Sequence, residues 1–296
     1  MMRELHLVEV PPKPELEPYV GVLYCLNVAI AGMSPERKCI LLPNPCVDIL
    51  INLGGPFSVE HGGDNQAVGA LATLHGPHAV SAHLRRQGAL CLLGARLKHG
   101  VAATFLNFPV KEVCNKFVPV ESFWPQAGTE LVEPVLAAST IRAKMQAMEK
   151  SLAKFFTRGR RLDLTLRRAV KLVAQNQGDV EVSELARQLK ISRQTVKHKF
   201  DNAVGLSPKS FGKLRRFQNV LRSISVDTNI RWSDLAQRCG YYDQAHLIRE
   251  FNSFTGFSPE KFLRVLGKGE DLYFFEGADL THFHMAHRFK TLAGIS

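Results

Sequence analysis

Ser192-Arg193-Gln194-Thr195-Val196-Lys197-His198-Lys199-Phe200 lies at the centre of a pattern that this chain contains twice. In the first copy, Leu185-Ala186 precedes it and Gly205-Leu206-Ser207-Pro208 follows it. The second copy consists of Leu235-Ala236, Asp243-Gln244-Ala245-His246-Leu247-Ile248-Arg249-Glu250-Phe251 and Gly256-Phe257-Ser258-Pro259. The leucines are 50 residues apart and the phenylalanines 51, so one residue is inserted in the turn before the second helix of the second copy. An internal repeat of this kind indicates one structural unit used twice.

Each copy predicts a helix-turn-helix. Ser183 and Ser192 are the expected N-caps of the two helices in the first copy, because a serine hydroxyl can accept a hydrogen bond from a free amide of the first turn. Val196 and Phe200 stand four residues apart on one side of the second helix, so we expect them to pack against the first helix. The second copy repeats the same arrangement of polar and apolar positions.

The outward faces of the two second helices carry amide and basic side chains, which are the groups that read base edges in a major groove. Two solvated amphipathic helices would also have polar faces, but they need no basic face that recurs in register. The expected base-reading residues are Arg193, Gln194, Lys197, His198, Gln244, Ala245, His246 and Arg249. The expected phosphate contacts, with plain surface charge as the alternative, are Lys199, Lys209, Lys213, Arg215 and Arg216.

The segment from about residue 163 to 264 resembles the DNA-binding domain of the AraC/XylS family of bacterial transcription regulators. The resemblance rests on the two copies above together with Cys239-Gly240-Tyr241. The sequence departs from the family pattern at Ala245 and Leu247, where the family usually has Ser and Phe. The resemblance implies double-stranded DNA and RNA polymerase as partners, a homodimer formed through helices that follow the sensor domain, no catalytic activity and no cofactor.

The positive charge is concentrated in the same segment. The chain has 296 residues and a formal net charge of +11. Residues 158–266 carry 21 Lys and Arg against 10 Asp and Glu, whereas the rest of the chain carries 17 of each. An excess confined to one domain is typical of a polyanion-binding surface. The sequence has no apolar run of membrane-spanning length and no signal-peptide pattern, so we expect a cytoplasmic protein that does not enter a membrane.

The pattern along the chain predicts an α+β protein in four parts. Residues 1–128 are expected to form a β-rich sensor or interaction domain, residues 129–162 a helical connector and linker, residues 163–266 the DNA-binding domain, and residues 267–296 a C-terminal tail. The connector has apolar residues at helical spacing, with a break expected between Ala137 and Thr140. Asp163 is expected to cap the next helix, and Ser207 with Pro208 to begin a long helix that separates the two helix-turn-helix motifs.

Short apolar segments separated by Gly, Pro and Asn predict a small barrel or sandwich in the first part. The strand candidates are Tyr19–Ile30, Lys38–Leu42, Val47–Asn52, Val68–Leu71 and Ala89–Leu97. Pro43-Asn44-Pro45-Cys46-Val47-Asp48-Ile49-Leu50-Ile51-Asn52-Leu53-Gly54 and Gly94-Ala95-Arg96-Leu97 resemble the N-terminal domain of a poorly characterised AraC-family subgroup. That resemblance implies a broadly cupin-like sensor domain and names no ligand.

An effector pocket inside this half would draw its polar lining from Tyr24, Asp48, Asn52 and Arg96, because a few buried polar groups among apolar neighbours orient small ligands. A filled core without a ligand is an equal alternative. A bound effector is expected to change the pose of the connector helices, and thereby dimerisation or promoter geometry. The rival regulatory mechanism is control by a protein partner or by abundance, without a small ligand.

No metal site is predicted. His75, His78 and His83 lie across a Gly-Pro turn and are expected on the surface or in loops. The three histidines of the tail, His282, His284 and His287, are expected on a segment that docks its aromatic side chains on the rest of the protein.

The six cysteines have no paired spacing, so we expect reduced and mostly buried thiols, with a redox switch as the alternative. A DNA-alkylation-repair enzyme fused to such a DNA-binding domain would need a four-cysteine zinc cluster, which this spacing does not provide.

Overall fold

The computed structural model describes residues 5–28, 38–61, 63–224, 230–267 and 272–273 of the chain. A β-rich region comes first and a helical region follows, which confirms the predicted α+β class. Among the described residues, no helix is both long enough and apolar enough to cross a membrane.

The strands form two mainly antiparallel sheets. One sheet has the order β1-β2-β9-β4-β7-β10 and the other the order β11-β3-β8-β5-β6, with β11 parallel to β3. The strands are β1 (Leu5–Val10), β2 (Val20–Val28), β3 (Lys38–Leu41), β4 (Val47–Asn52), β5 (Phe57–His61), β6 (Asp64–Val68), β7 (Ala72–His75), β8 (Ala82–Arg86), β9 (Leu90–Leu97), β10 (Phe117–Pro119) and β11 (Leu272–Tyr273).

The two faces of the larger sheet bury different sets of side chains. Because successive residues of a strand point to opposite faces, Ile49 and Ile51 of β4 lie on one face and Leu50 on the other. Ile49 and Ile51 belong to a core that includes the connector helix residues, whereas Leu50 belongs to the core between the two sheets. The larger sheet is therefore covered on both faces.

The connector forms α1 (Glu133–Ala137) and α2 (Ile141–Thr157), so the predicted break between them is confirmed. The Thr140 side chain caps α2 by accepting a hydrogen bond from the Ala143 amide at 3.1 Å. The apolar stripe of α2 packs onto the larger sheet, and the ring of Phe155 stacks on Trp124 with 4.1 Å between centroids. This stripe is therefore part of the core of the β-rich half.

The helical region begins after residue 163. Its helices are α3 (Leu164–Gln175), α4 (Val182–Leu189), α5 (Arg193–Ala203), α6 (Pro208–Ser223), α7 (Trp232–Arg238), α8 (Gln244–Thr255) and α9 (Pro259–Gly267). The predicted caps Asp163 and Ser207 are confirmed, since each side chain accepts a hydrogen bond at 3.0 Å from an amide three residues ahead. The prediction for Ser183 was wrong, because α4 already begins at Val182 and Ser183 lies within its first turn.

The predicted strands differ from the structure in two ways. The segment Val68–Leu71 is not a strand: β6 ends at Val68 and β7 begins at Ala72, with Gly69 in the connection. The strands that were not predicted are β1, β5, β6, β7, β8, β10 and β11. In β5 and β8 the outward residues are polar or charged, and short alternating segments give a weak apolar signal.

The helical region packs directly on the β-rich half. The side chains of Ile40 and Leu42 belong to the same apolar core as the helices of the C-terminal half. The Cys114 thiol donates to the Gly205 carbonyl at 2.9 Å, and the Phe211 ring meets His99 edge-on with 4.9 Å between centroids. The two halves therefore share a buried interface. Of the tail, Leu272–Tyr273 pairs with β3 as β11, and the three histidines that were expected on a docking segment, His282, His284 and His287, lie outside the described residues.

Candidate DNA-binding surface

The first helix-turn-helix is formed by α4 and α5. Ser192 caps α5 by accepting a hydrogen bond from the Thr195 amide at 3.0 Å, as predicted. Val196 and Phe200 are buried against α4, also as predicted. The turn between the helices requires a left-handed residue, and Lys190 fills that position with a φ of 55°. These contacts fix the direction in which the outer face of α5 points.

The outer face of α5 is open to solvent. Arg193, Gln194, Lys197 and His198 are all exposed, at spacings that place them on the side opposite the buried pair. The His198 ring nitrogen Nε2 lies 2.8 Å from the Asn202 amide nitrogen, which positions the imidazole along the helix. The outer face of α5 therefore presents one amide, two cations and one imidazole to solvent.

The second helix-turn-helix repeats this construction with α7 and α8. The Asp243 carboxylate caps α8 by accepting a hydrogen bond from the His246 amide at 2.6 Å. Gln244, Ala245 and Arg249 are exposed, as a groove-reading face requires. His246 is partly covered, because its ring packs edge-on against Tyr241 with 5.3 Å between centroids.

The backbone identifies the inserted residue of the second copy. The Ile191 amide donates to Ala186 O at 3.1 Å, and the Tyr241 amide donates to Ala236 O at 2.9 Å, so Ile191 and Tyr241 are equivalent. The extra residue is therefore Tyr242, which is 89% exposed beside the first turn of α8. The change of offset from 50 to 51 in the sequence places the insertion in this turn, but it does not predict that Tyr242 is exposed.

Three of the residues expected to contact phosphates reach the surface. Lys209 is exposed in the first turn of α6. Lys199 is half-buried and forms an ion pair with Asp163. Lys213 lies 3.6 Å from the Glu250 carboxylate and remains 42% exposed. Lys209 is the one of these three for which the described residues provide no ion pair.

Arg215 and Arg216 differ from that expectation, because both side chains are buried. Arg216 lies 3.2 Å from Glu250 and donates to the Gly178 carbonyl at 3.1 Å. Its guanidinium also lies 5.4 Å from the centre of the Tyr241 ring. Burial and the neighbouring Glu250 carboxylate raise the pKa of Tyr241.

These contacts connect the two motifs through α6. Gly178 follows α3, next to the first helix-turn-helix, whereas Glu250 belongs to α8 of the second. Arg216 in α6 binds both and thereby contributes to the spacing of α5 and α8. The 16 residues of α6 span about 24 Å at 1.5 Å per residue.

Inside the β-rich half, the structure brings together three of the four predicted pocket residues. Asp48 and Arg96 form a two-pronged ion pair with both N–O distances at 2.9 Å, and both side chains are 2% exposed. The Arg96 guanidinium lies 5.6 Å from the centre of the Tyr24 ring. Asn52 lies apart from them, at the end of β4, where its side chain donates to Gly55 O and accepts from the Gly54 amide.

The histidines of this half are placed differently from the prediction. His83 is exposed as expected, but His75 and His78 are buried and their Nε2 atoms are in contact. Burial lowers the pKa of His75 to about 4 and also lowers that of His78, so both imidazoles are neutral at pH 7. The turn that carries His78 folds back into the sheet through an Asn44–His78 bridge, a long-range pairing that periodicity does not reveal.

Side chains that could bind a metal ion do not cluster in the part of the chain that is described. No group of three or more His, Cys, Asp or Glu side chains there could hold a metal ion. Cys25 and Cys46 are buried and not part of a disulfide among the described residues, and Cys91 is partly exposed. A hydrogen bond from Cys25, together with the Lys144 charge, lowers the pKa of Cys91 to about 7 against the opposing effect of burial.

Comparison with known families gives two matches. Residues 185–264 match the family model described as a helix-turn-helix domain. Residues 8–119 match a domain of unknown function, DUF6597. A comparison with curated proteins gives no match.

Solved structures resemble the chain more weakly. The C-terminal domain of AraT, a response regulator from Geobacillus stearothermophilus, has 21% identity and a TM-score of 0.33, and the alignment covers 43% of this chain and 98% of that one. ToxT from Vibrio cholerae has 8% identity and a TM-score of 0.48, with 89% and 98% covered. A probable AraC family transcriptional regulator from Rhodopseudomonas palustris has 22% identity and a TM-score of 0.31, with 34% and 96% covered.

Proposed function

We propose that the chain is a DNA-binding transcription regulator of the AraC type, on the strength of the helix-turn-helix match over residues 185–264, and that it reads a two-part site with α5 and α8 in successive major grooves. The supporting observation is the pair of exposed amide and basic helix faces, each fixed on its own buried pair of side chains. Successive major grooves on one side of B-DNA are about 34 Å apart. The length of α6 plus the widths of the two motifs is compatible with this spacing.

Base reading is proposed for the eight residues expected from the sequence. In the first half-site, Arg193 and Lys197 favour guanine and Gln194 favours adenine, because these side chains match the donor and acceptor patterns of those bases. In the second, Gln244, His246 and Arg249 supply the polar contacts, and the Ala245 methyl is suited to the methyl group of thymine. The partly covered His246 is restricted to a narrow range of directions.

Phosphate contacts are proposed for Lys209 first, with Lys199 and Lys213 in support. Such contacts position the protein on DNA and carry no sequence information by themselves. Arg215 and Arg216 are better explained as buried residues. Arg215 donates to the Gln218 side chain, and Arg216 cannot turn outward without giving up its ion pair with the buried Glu250 carboxylate.

A regulator of this kind acts where the chromosome lies, so we also propose a cytoplasmic location and RNA polymerase as a partner. Homodimerisation stays a proposal as well. It would require the outer face of α2 or another surface, because the apolar stripe of α2 is already used in the core.

Control by a small-molecule effector is the proposed mode of regulation. The polar groups of Tyr24, Asp48 and Arg96 support a structural role, because the Asp48 carboxylate and the Arg96 guanidinium already satisfy each other. A ligand in that position would have to replace a buried ion pair. The docked interface between the two halves is a better place for an effector, since a ligand there can act on the DNA-binding helices directly.

Selection of bound sequences from a random duplex library tests the reading mechanism. The full chain should enrich a two-part motif whose halves are one helical turn apart, and Gln194→Ala should relax one position of one half. The matched variant Gln87→Ala changes an exposed glutamine of the β-rich half, outside both motifs, and should leave the selected sequence unchanged. Enrichment of no motif, with binding that only follows salt concentration, would contradict sequence-specific reading.

The rival mode of regulation is distinguishable with the same purified protein. An effector-independent regulator would bind its selected site equally well with and without small-molecule extracts of the cell. A change in affinity caused by a protein-free extract would argue against control by a partner protein or by abundance alone.

A further inference from the structure

A cavity of about 800 Å³ lies between the β-rich half and the helical half. Its walls come from the end of β9 on one side and from α3 and α6 on the other. This volume is within the range of about 300–1,000 Å³ found for small-molecule sites. A ligand in it would contact both halves of the protein.

The helix walls are built from regular stripes. On α3, Leu164, Arg168, Lys171 and Gln175 recur at intervals of four, three and four residues, so they lie on one face. On α6, residues 215, 219 and 222 recur at four and three in the same way. The inward face of α3 is separate, because Leu166, Ala169 and Val173 are buried in the core.

The charge of the cavity has one sign. The basic side chains that line it are Lys98, Arg167, Arg168, Lys171, Arg215 and Arg222, and no Asp or Glu lines it. In the part of the chain that is described, Lys98, Arg167, Arg168 and Lys171 form no ion pair. Positively charged side chains around a concave surface, without acidic neighbours among its lining residues, create a positive potential that attracts anions. A solvated helix face would ordinarily mix both signs.

The cavity also has an apolar part. Leu97, Val170 and Ala174 line it together with Leu164, which is 73% exposed. A leucine with that exposure at the mouth of a cavity offers apolar area to a ligand that enters it. The site therefore combines cations with apolar contacts.

We propose that this cavity binds a small organic anion with an apolar body and at least two negative charges, such as a phosphate monoester, and that this ligand is the effector. The binding site stands on the cavity itself, whereas the regulatory role rests on the proposed function. Because α3 leads into the first helix-turn-helix and α6 joins the two motifs, a ligand held between them and β9 would alter the position of the DNA-reading helices relative to the β-rich half.

The test uses the purified full chain and four probes measured by calorimetry: octyl phosphate, octanoate, octanol and inorganic phosphate. Octyl phosphate should bind most tightly, because it alone supplies both a doubly charged head and an apolar chain. Octanoate should bind more weakly, and octanol and inorganic phosphate should give no measurable heat. Equal binding of inorganic phosphate and octyl phosphate would overturn the proposal.

Charge reversal locates the site. Arg168→Glu with Lys171→Glu should weaken octyl phosphate binding by about tenfold or more, because two attractive contacts become repulsive. The matched control is Arg142→Glu with Lys150→Glu, which makes the same change of charge on exposed positions of α2 and should bind octyl phosphate as the wild type does. Equal affinities of the two double variants would overturn the assignment to this cavity.

The effect on DNA separates the two parts of the proposal. Octyl phosphate should change the affinity for the selected operator at least threefold in the control variant and leave it unchanged in the cavity variant. Ligand binding without any change in DNA affinity would overturn the effector role and leave the DNA-reading function intact. A cavity variant that loses affinity for all DNA sequences alike without ligand would show a phosphate-contacting surface instead and overturn the ligand site.

Discussion

Arg216 of α6 and Glu250 of α8 form an ion pair in the interior of the helical half, with 3.2 Å between guanidinium nitrogen and carboxylate oxygen. Both side chains are less than 10% exposed, and Arg216 also binds the carbonyl of Gly178 near the first motif. This pair therefore joins the two helix-turn-helix motifs, and its removal is expected to change their relative position as well as the stability of the domain.

Removal of the arginine should be destabilising. Arg216→Met removes the most deeply buried basic partner of the Glu250 carboxylate and leaves it with Lys213 at 3.6 Å and His246 at 3.8 Å. The loss of one partner of a buried pair costs about 3–5 kcal/mol. Urea unfolding measures the change in the free energy of unfolding. The control Lys213→Met removes a partner that is 42% exposed and should cost less than about 1 kcal/mol. Equal losses for the two variants would show that the pair makes no special contribution.

Base readers and phosphate contacts should differ in the pattern of lost affinity. Gln194→Ala is expected to cost about 1–3 kcal/mol at one position of the operator and little at others. Lys209→Ala should weaken binding to all sequences alike and lower the slope of log affinity against log salt concentration by about one. Titration of operator variants at several salt concentrations measures both effects. Uniform weakening by Gln194→Ala would exclude its reading role.

Tyr242 should contribute to the second half-site. Its ring is 89% exposed next to α8, so Tyr242→Ala should change the free energy of unfolding by less than about 0.5 kcal/mol. The same change is expected to weaken operator binding by about 1–3 kcal/mol, confined to the half-site that α8 reads. Leu71→Ala, another exposed apolar position, should change neither quantity. An unaltered operator affinity of Tyr242→Ala would remove this residue from the interface.

Stability should fall between neutral and acidic pH because of the buried histidines. The pKa of His75 is lowered from 6.5 to about 4 in the folded protein, and that of His78 is lowered as well. The unfolded chain therefore binds more protons below pH 6.5, and stability is lost as the pH falls from there towards 4. The slope of unfolding free energy against pH should decrease in His75→Gln. A slope identical to that of wild type would show that His75 titrates normally.

Gly94 should tolerate no side chain. A Cβ atom at this position would lie 2.2 Å from Cζ of the buried Tyr24 ring, and such overpacking costs about 1–3 kcal/mol. Thermal unfolding of Gly94→Ala should show this loss. Gly69→Ala is the matched control, since its added Cβ would meet no atom within 4 Å. Equal stability of the two variants would mean that Tyr24 can move aside without cost.

The helical half was predicted well because its signals are local. Caps such as Ser192 and Ser207 lie within three residues of the amides that they bind, and the buried faces of α5 and α8 follow from spacings of four residues. The single predicted cap that failed, Ser183, lies within two residues of the observed start of its helix. Local patterns therefore determine which residues of this half face outward.

The β-rich half was predicted less completely. Four strands were identified, namely β2, β3, β4 and β9, whereas the other described strands of this half, among them the short alternating β5 and β8, were not. The burial of His75 and His78 depends on a bridge to Asn44, more than thirty residues away. A spacing pattern over a few residues does not contain that information.

The sequence by itself determined the repeated helix-turn-helix, the exposed amide and basic residues on α5 and α8, and the α+β class. The tertiary structure alone decided that Arg215 and Arg216 are buried, that Asp48 pairs with Arg96, and that α3, α6 and the end of β9 line a basic cavity. The physical reason is the distance along the chain over which each property is set. A helix face follows from hydrogen bonds between near neighbours, whereas burial and cavities arise only when segments far apart in sequence pack together.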